Sequence, residues 1–222
     1  MMTNLFSVFD PTSYMLSSSW LIIPMITSIT TKSMWKTKNT LKKITYKITD
    51  SMKKEVKFAL GKSEKSTEIM VLTTFLMIIM MNFSALYPQI FSPTSHLTIT
   101  LPLSLTFWLS IMLFGWFKNT NHMLIHLVPQ GTPPILMMFM VMIEMISNII
   151  RPITLCVRLT ANLIAGHLLM TLLGNTLYTM STMSQTISLM APMILTILET
   201  AVACIQAYVF MTLITLYTTE IK

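Results

Sequence analysis

Five stretches of this 222-residue chain are apolar for about the length of a bilayer crossing, and that leaves few folds open to it. A hydrocarbon core about 30 Å thick takes about 20 apolar residues in a helix. Backbone amides buried there must be bonded within the segment, as a helix bonds them. The stretches are 12–31, with Pro24 as an expected kink; 68–87; 97–117, ended by Lys118 and Asn119; a fourth that starts after Thr132-Pro133-Pro134 and stays helix-like to about residue 173; and a fifth over 185–219. Only 10% of the residues are charged and the mean hydropathy is +0.67, against about 25% charged in a soluble domain. The expected fold class is therefore all-α. It is a polytopic membrane protein of about five membrane-embedded helices plus one amphipathic interfacial helix, forming one domain over 1–222. Its expected parts are a first span (12–31), the amphipathic helix (40–60), a helical hairpin (68–117) and a long hairpin (133–219). The 23 methionines fit either a soft, irregular core or a genetic code that reads extra codons as Met.

The formal charge of +7 is local: eleven of the fifteen Lys+Arg residues are lysines within 32–65. That excludes a nucleic-acid-binding surface spread over the chain. Within this segment Leu41, Ile44, Ile48, Met52, Val56 and Ala59 recur at spacings of three and four, with Lys42, Lys43, Lys47, Lys53, Lys54 and Lys57 between them. The pattern predicts a helix lying in the interface with its lysines wet; the plainer alternative is a solvated basic loop. Lysine excess marks the inner side of an energised membrane. The N-terminus and the connections 88–96 and 175–184 then lie outside, while Lys118, the His122/His126 loop and Lys222 lie inside. With Asp10 and no cation before Lys32, the N-terminus does not read as a secretory signal or transit peptide, so the first segment is expected to be retained. Cys156 and Cys204 sit in apolar runs and read as small buried hydrophobes. No CxxC or Cys/His metal spacing occurs.

The last two stretches exceed a membrane's thickness. About forty residues of helix span about 60 Å, which in a 30 Å core demands a tilt near 60°, beyond the ordinary range of about 0–40°. The expected arrangement is a long, steeply tilted antiparallel hairpin, kinked at Pro152 and leaning on another protein.

Polar residues in this hairpin fall into pairs. Glu144 with Glu220, Arg158 with Gln206, and His167 with Glu199 all share a midpoint near residue 182. A turn there stacks three polar layers at three depths. Charge within a bilayer costs about 2.5–3.5 kcal/mol per group on insertion scales, so several in register point to ion movement. Histidine titrates near a pH of about 6.5 and relays protons. Arg158 does not relay, because its guanidinium stays protonated, and it blocks direct passage between the outer and inner layers. It also lacks a carboxylate at its own depth, which a partner or a lipid must supply. Ala161 and Ala165 beside it, and Ala203 and Ala207 flanking Gln206, allow close helix approach. Structural readings stand beside these: Arg158 as interhelical glue, His167 as a packing residue, Asn162 as a hydrogen-bonding neighbour. Arg151 falls outside the pairing; it either meets Glu144 two turns back or snorkels inward. His96, His122 and His126 read as loop or interface residues.

Three segments carry a family resemblance: RPITLCVRLTANLIAGHLL at 151–169, HLVPQGTPP at 126–134 and ETAVACIQAYVFMTLITLY at 199–217. They resemble the subunit a family of mitochondrial F-type ATP synthases, and NLFSVFDPT at 4–12 is similar to its arthropod members. One departure is Met137-Met138, where relatives commonly carry a proline. The resemblance implies a static proton-channel subunit in the mitochondrial inner membrane, with no catalytic site or cofactor of its own. It implies partners in the c-ring and the other stator subunits of the membrane sector. It makes Arg158 the essential c-ring-facing arginine and Asn162 and Gln206 its polar neighbours. His167 and Glu199 would then line the intermembrane-space half-channel, and Glu144 and Glu220 the matrix half-channel. The rival readings are a self-contained channel or transporter, which would usually supply a carboxylate for Arg158 and an internal repeat, and a non-conducting scaffold subunit.

Overall fold

Backbone groups in a chain this apolar have few partners but each other, and the described residues are accordingly helical, with no strand among them. The structure is a computed structural model that describes residues 6, 9–11, 18–30, 40–61, 65–87, 90–128, 134–179 and 188–221. A 3-10 turn at Ser18–Leu21 leads into α1 (Ile22–Thr30). Then come α2 (Thr40–Leu60), α3 (Lys65–Ala85), a 3-10 turn at Pro93–Ser95, α4 (Leu97–Lys118), α5 (Thr120–His126), α6 (Pro134–Thr179) and α7 (Met190–Ile221). Among the described residues, four helices are long and apolar enough to cross a membrane: α3, α4, α6 and α7.

The expected first span is only partly described. Its helical part is a shorter apolar segment, Ser19–Ser28, and residues 12–17 and 31 lie outside the described residues. Pro24 falls in the opening turn of α1, where its missing N–H would have had no partner anyway, so it starts the helix rather than kinking it. The 88–96 connection holds a buried 3-10 turn: Ser92, Pro93, Thr94 and Ser95 are all sequestered, and Ser92 donates to the Ser95 hydroxyl at 2.9 Å. Trp20, Phe91 and His96 stack beside it, with ring centroids 5.1 to 5.7 Å apart. The connection after α4 contains a short helix, α5, where the sequence pattern indicates a loop. The expected 175–184 turn begins later, since α6 continues to Thr179; the midpoint near residue 182 lies outside the described residues.

The core sits where α2, α3, α6 and α7 meet: Val56, Leu60, Val71, Phe75, Ile78, Leu155, Leu159 and Phe210 are among its buried members. Phe107 of α4 meets the Phe210 ring edge-on at 6.4 Å. α3 and α4 do not lie along each other as a plain hairpin. α3 packs on α7, and α4 on α6 and α7, because the buried residues of each side with the long pair. α2 turns Met52, Val56 and Leu60 into this core and leaves Lys43, Lys47, Lys53, Lys54 and Lys57 exposed. Ile48 and Ala59, expected on the apolar stripe, are exposed; Leu60 takes the buried position instead. Cys156 is buried, with its thiol 3.4 Å from the Thr100 hydroxyl, whereas Cys204 is exposed, contrary to its expected burial.

α6 runs unbroken for 46 residues, about 69 Å at 1.5 Å per residue. It passes through Met137, Met138 and the buried Pro152 without interruption. Few of its residues are buried against the rest of the chain, chiefly Pro152, Leu155, Cys156, Leu159, Thr160 and His167, whereas α3 buries a much larger share of its shorter length. A helix this long and this uncovered has most of its surface left for lipid or for another protein.

Candidate functional site

α6 and α7 run antiparallel and hold a cavity toward each end, the larger one mostly apolar with a few polar residues set into its wall. Near one end, His167 of α6 and Glu199 of α7 line a cavity of about 590 Å³ together with Asn82, Asn162, Gly166 and Gln206. His167 is 8% exposed; the Ala85 backbone accepts a hydrogen bond from its ring, and Phe9 meets the ring edge-on at 6.0 Å. The Glu199 carboxylate lies against the α6 backbone because residue 166 is glycine. A Cβ there would stand 2.7 Å from Glu199 Oε1 and 3.0 Å from its Cδ. That Oε1 is buried and has no hydrogen-bond partner among the described residues. An unpaired buried carboxylate oxygen is costly, and a proton or a water entering the cavity relieves it. Asn82 of α3 is 1% exposed; its amide donates to the Ala203 carbonyl at 3.5 Å, and its Oδ1 is unpartnered among the described residues.

Near the other end, Glu144 and Asn148 of α6 and Tyr217 and Glu220 of α7 line a cavity of about 330 Å³. Arg151, which has no place in the mirrored sequence pairs, ties this cluster together. Its Nη1 donates to Glu220 Oε2 at 2.6 Å, its Nη2 stands 3.9 Å from Glu144 Oε1, and its guanidinium lies 5.2 Å from the Tyr217 ring centroid.

Arg158 lines neither cavity. It lies about 21 Å along the helix axis from Glu144 and about 14 Å from His167, at 1.5 Å per residue. It is exposed, on a stripe with Thr154, Ala161, Ala165, Leu169 and Leu172, every one of them exposed as well. Among the described residues no carboxylate pairs with it. Asn162 and Gln206, the expected neighbours of Arg158, are half-buried and turn toward the larger cavity. The expected middle layer is thus divided: the amides extend the cavity of His167, and the cation faces outward between Thr154 and Ala161 on the exposed stripe.

Four residues of these clusters escape pattern reading: Asn82, Asn148, Gly166 and Tyr217. Asn82 had a signal, as a lone amide in an apolar run, and so did Gly166, since glycine inside a helix costs about 1 kcal/mol relative to alanine. Tyr217 had none.

The sequence model of the ATP synthase A chain family matches residues 12–219. Among similar proteins are the ATP synthase subunit a of Locusta migratoria, 47% identical over 224 residues, of Drosophila melanogaster, 51% over 228, and of Anopheles quadrimaculatus, 50% over 226. Each of these alignments covers 100% of this chain and 100% of the relative.

Proposed function

The chain belongs to the ATP synthase A chain family, and from that premise we propose how its two cavities and its exposed arginine divide the work of moving protons. It is the proton-translocating subunit of the membrane sector of ATP synthase, a multi-pass protein of the mitochondrial inner membrane, and not a catalytic subunit. Its residues 1–222 form a single membrane domain, with the N-terminus toward the intermembrane space and the C-terminus toward the matrix. The orientation rests on the lysines of residues 32–65, which the positive-inside rule puts on the matrix side.

Protons enter from the intermembrane space through the cavity of His167 and Glu199, with Asn162 and Gln206 at its inner reach. They neutralise a carboxylate carried by a c-ring subunit that moves across the exposed stripe of α6. They leave to the matrix through the cavity of Glu144 and Glu220. The observation that supports this most is the position of Arg158: a permanent cation, exposed, flanked by small residues, and lying between two cavities without lining either. There it holds a passing carboxylate ionised until the carboxylate reaches a proton source, and it stops protons from running directly from one cavity to the other. The other stator subunits and lipid cover what remains of the exposed surface of α6.

Arg158→Gln is expected to abolish proton-driven ATP synthesis while the complex still assembles, as measured by synthesis in energised vesicles and by the amount of complex on a native gel. Arg158→Lys should also be impaired, since lysine lacks the planar fork and can lose its proton. Normal synthesis in Arg158→Gln would defeat the mechanism. Proton conduction by the isolated subunit in liposomes would favour a self-contained channel instead.

A further inference from the structure

The two carboxylates of the matrix-side cavity are not equivalent. We propose that Arg151 and Glu220 form a fixed, charge-compensated pair, and that Arg151 is thereby a positioning residue leaving Glu144 as the one carboxylate that exchanges protons there. This rests on the assignment of that cavity as the matrix half-channel and refines it.

The distances carry the distinction. Arg151 Nη1 to Glu220 Oε2 is 2.6 Å, a short charge-assisted hydrogen bond. Arg151 Nη2 to Glu144 Oε1 is 3.9 Å, beyond hydrogen-bonding reach. A proton arriving at Glu220 has to displace a hydrogen-bonded guanidinium that never gives up its own charge, whereas at Glu144 the guanidinium stands within ion-pair distance but makes no hydrogen bond that a proton must break. The guanidinium also lies against the Tyr217 ring, 5.2 Å away, and while Glu220 is present its hydrogen bond keeps the guanidinium from closing on Glu144. The charged and titratable groups facing the cavity are Glu144 and Arg151 from α6 and Tyr217 and Glu220 from α7; α4, α5 and the turn after α5 contribute only uncharged residues, Trp108, Ile111, Met112, Met123 and Leu127, among the described residues. The pairing also accounts for the placement of Arg151: it is one α6 residue that crosses to α7, and it neutralises the carboxylate that the exit path does not use.

The test uses the assembled, membrane-embedded complex and ATP-driven proton pumping, with complex abundance measured in parallel. Glu144→Gln should lose transport by about tenfold or more, and so should Glu220→Gln, because the freed Arg151 then captures Glu144. The double variant Arg151→Gln/Glu220→Gln removes the pair while leaving Glu144 unclaimed. It should recover about fivefold over Glu220→Gln alone, with a matrix-side pH profile closer to wild type than that of either single variant. Arg151→Lys, which keeps the charge, should lie between wild type and Arg151→Gln. A double variant no better than Glu220→Gln at equal abundance would overturn the pairing while leaving the half-channel standing. Full transport in both Glu144→Gln and Glu220→Gln would remove the half-channel as well. Should the double variant fail to assemble, labelling of the wild-type complex with a hydrophobic carbodiimide decides: the adduct is expected on Glu144, and preferential labelling of Glu220 would overturn the proposal.

Discussion

At the scale of single residues, the absence of a methyl group at position 166 matters as much as the charges around it. Gly166 lets the Glu199 carboxylate rest against α6, with its Oε1 where a Cβ would stand 2.7 Å away. Gly166→Ala should strengthen the helix by up to about 1 kcal/mol yet force the carboxylate to swing away. The expected result is proton pumping lowered by about tenfold, equivalent to about 1.4 kcal/mol, in complexes assembled at or above the wild-type level. Unchanged pumping would show that the placement of Glu199 against α6 is dispensable. This opposition between stability and transport separates a functional glycine from a structural one. A glycine inside a helical run hinted that position 166 matters, but its purpose was not legible in the sequence, because the atom it makes room for belongs to a residue 33 positions away along the chain. His167 and Glu199 themselves were legible, because ionisable groups in apolar runs are costly wherever they point.

Among the elements, α6 and α7 are the ones whose chemistry the chain supplies and whose packing it leaves incomplete. α3 and α4 brace them from one side, and Phe210 of α7 is the main contact: 2% exposed and edge-on to Phe107. Phe210→Ala should cost about 3–5 kcal/mol of packing, read as a lower unfolding temperature or a smaller yield of the detergent-purified complex. Met142, 59% exposed on α6, should tolerate alanine to within about 0.5 kcal/mol in the subunit alone. Equal sensitivity at both positions would mean that the brace is not where the helix pair gains its stability. Helix identity and approximate extent were open to pattern reading because long apolar runs permit little else. Pairing was not: α3 and α4 are apolar all round, so no stripe in either sequence announces that each sides with the long pair rather than with its chain neighbour.

For the molecule as a whole, the arrangement is two cavities, each roomy enough for several waters, toward opposite ends of one helix pair and separated by an outward-facing cation. Single cysteines at 144 and 220 should react with a membrane-impermeant thiol reagent only from the matrix side, and cysteines at 167 and 199 only from the intermembrane-space side, in a background with Cys156 and Cys204 replaced. The reverse pattern would invert the topology; reaction of all four from one side would remove the two-channel arrangement. The sequence by itself determined that the chain is helical and membrane-embedded, that its last two helices carry polar groups at mirrored spacings, and that Arg158 has no carboxylate near it in the chain, because apolar length, charge cost and residue spacing are properties of a linear chain. Only the tertiary structure decided that Arg158 faces outward while Asn162 and Gln206 turn into a cavity, that Glu199 lies on the glycine of another helix, and that Arg151 belongs with Glu220. The reason is geometric: a helix repeat tells which residues share a face, but which face meets a neighbour, and at what height, depends on how the helices pack.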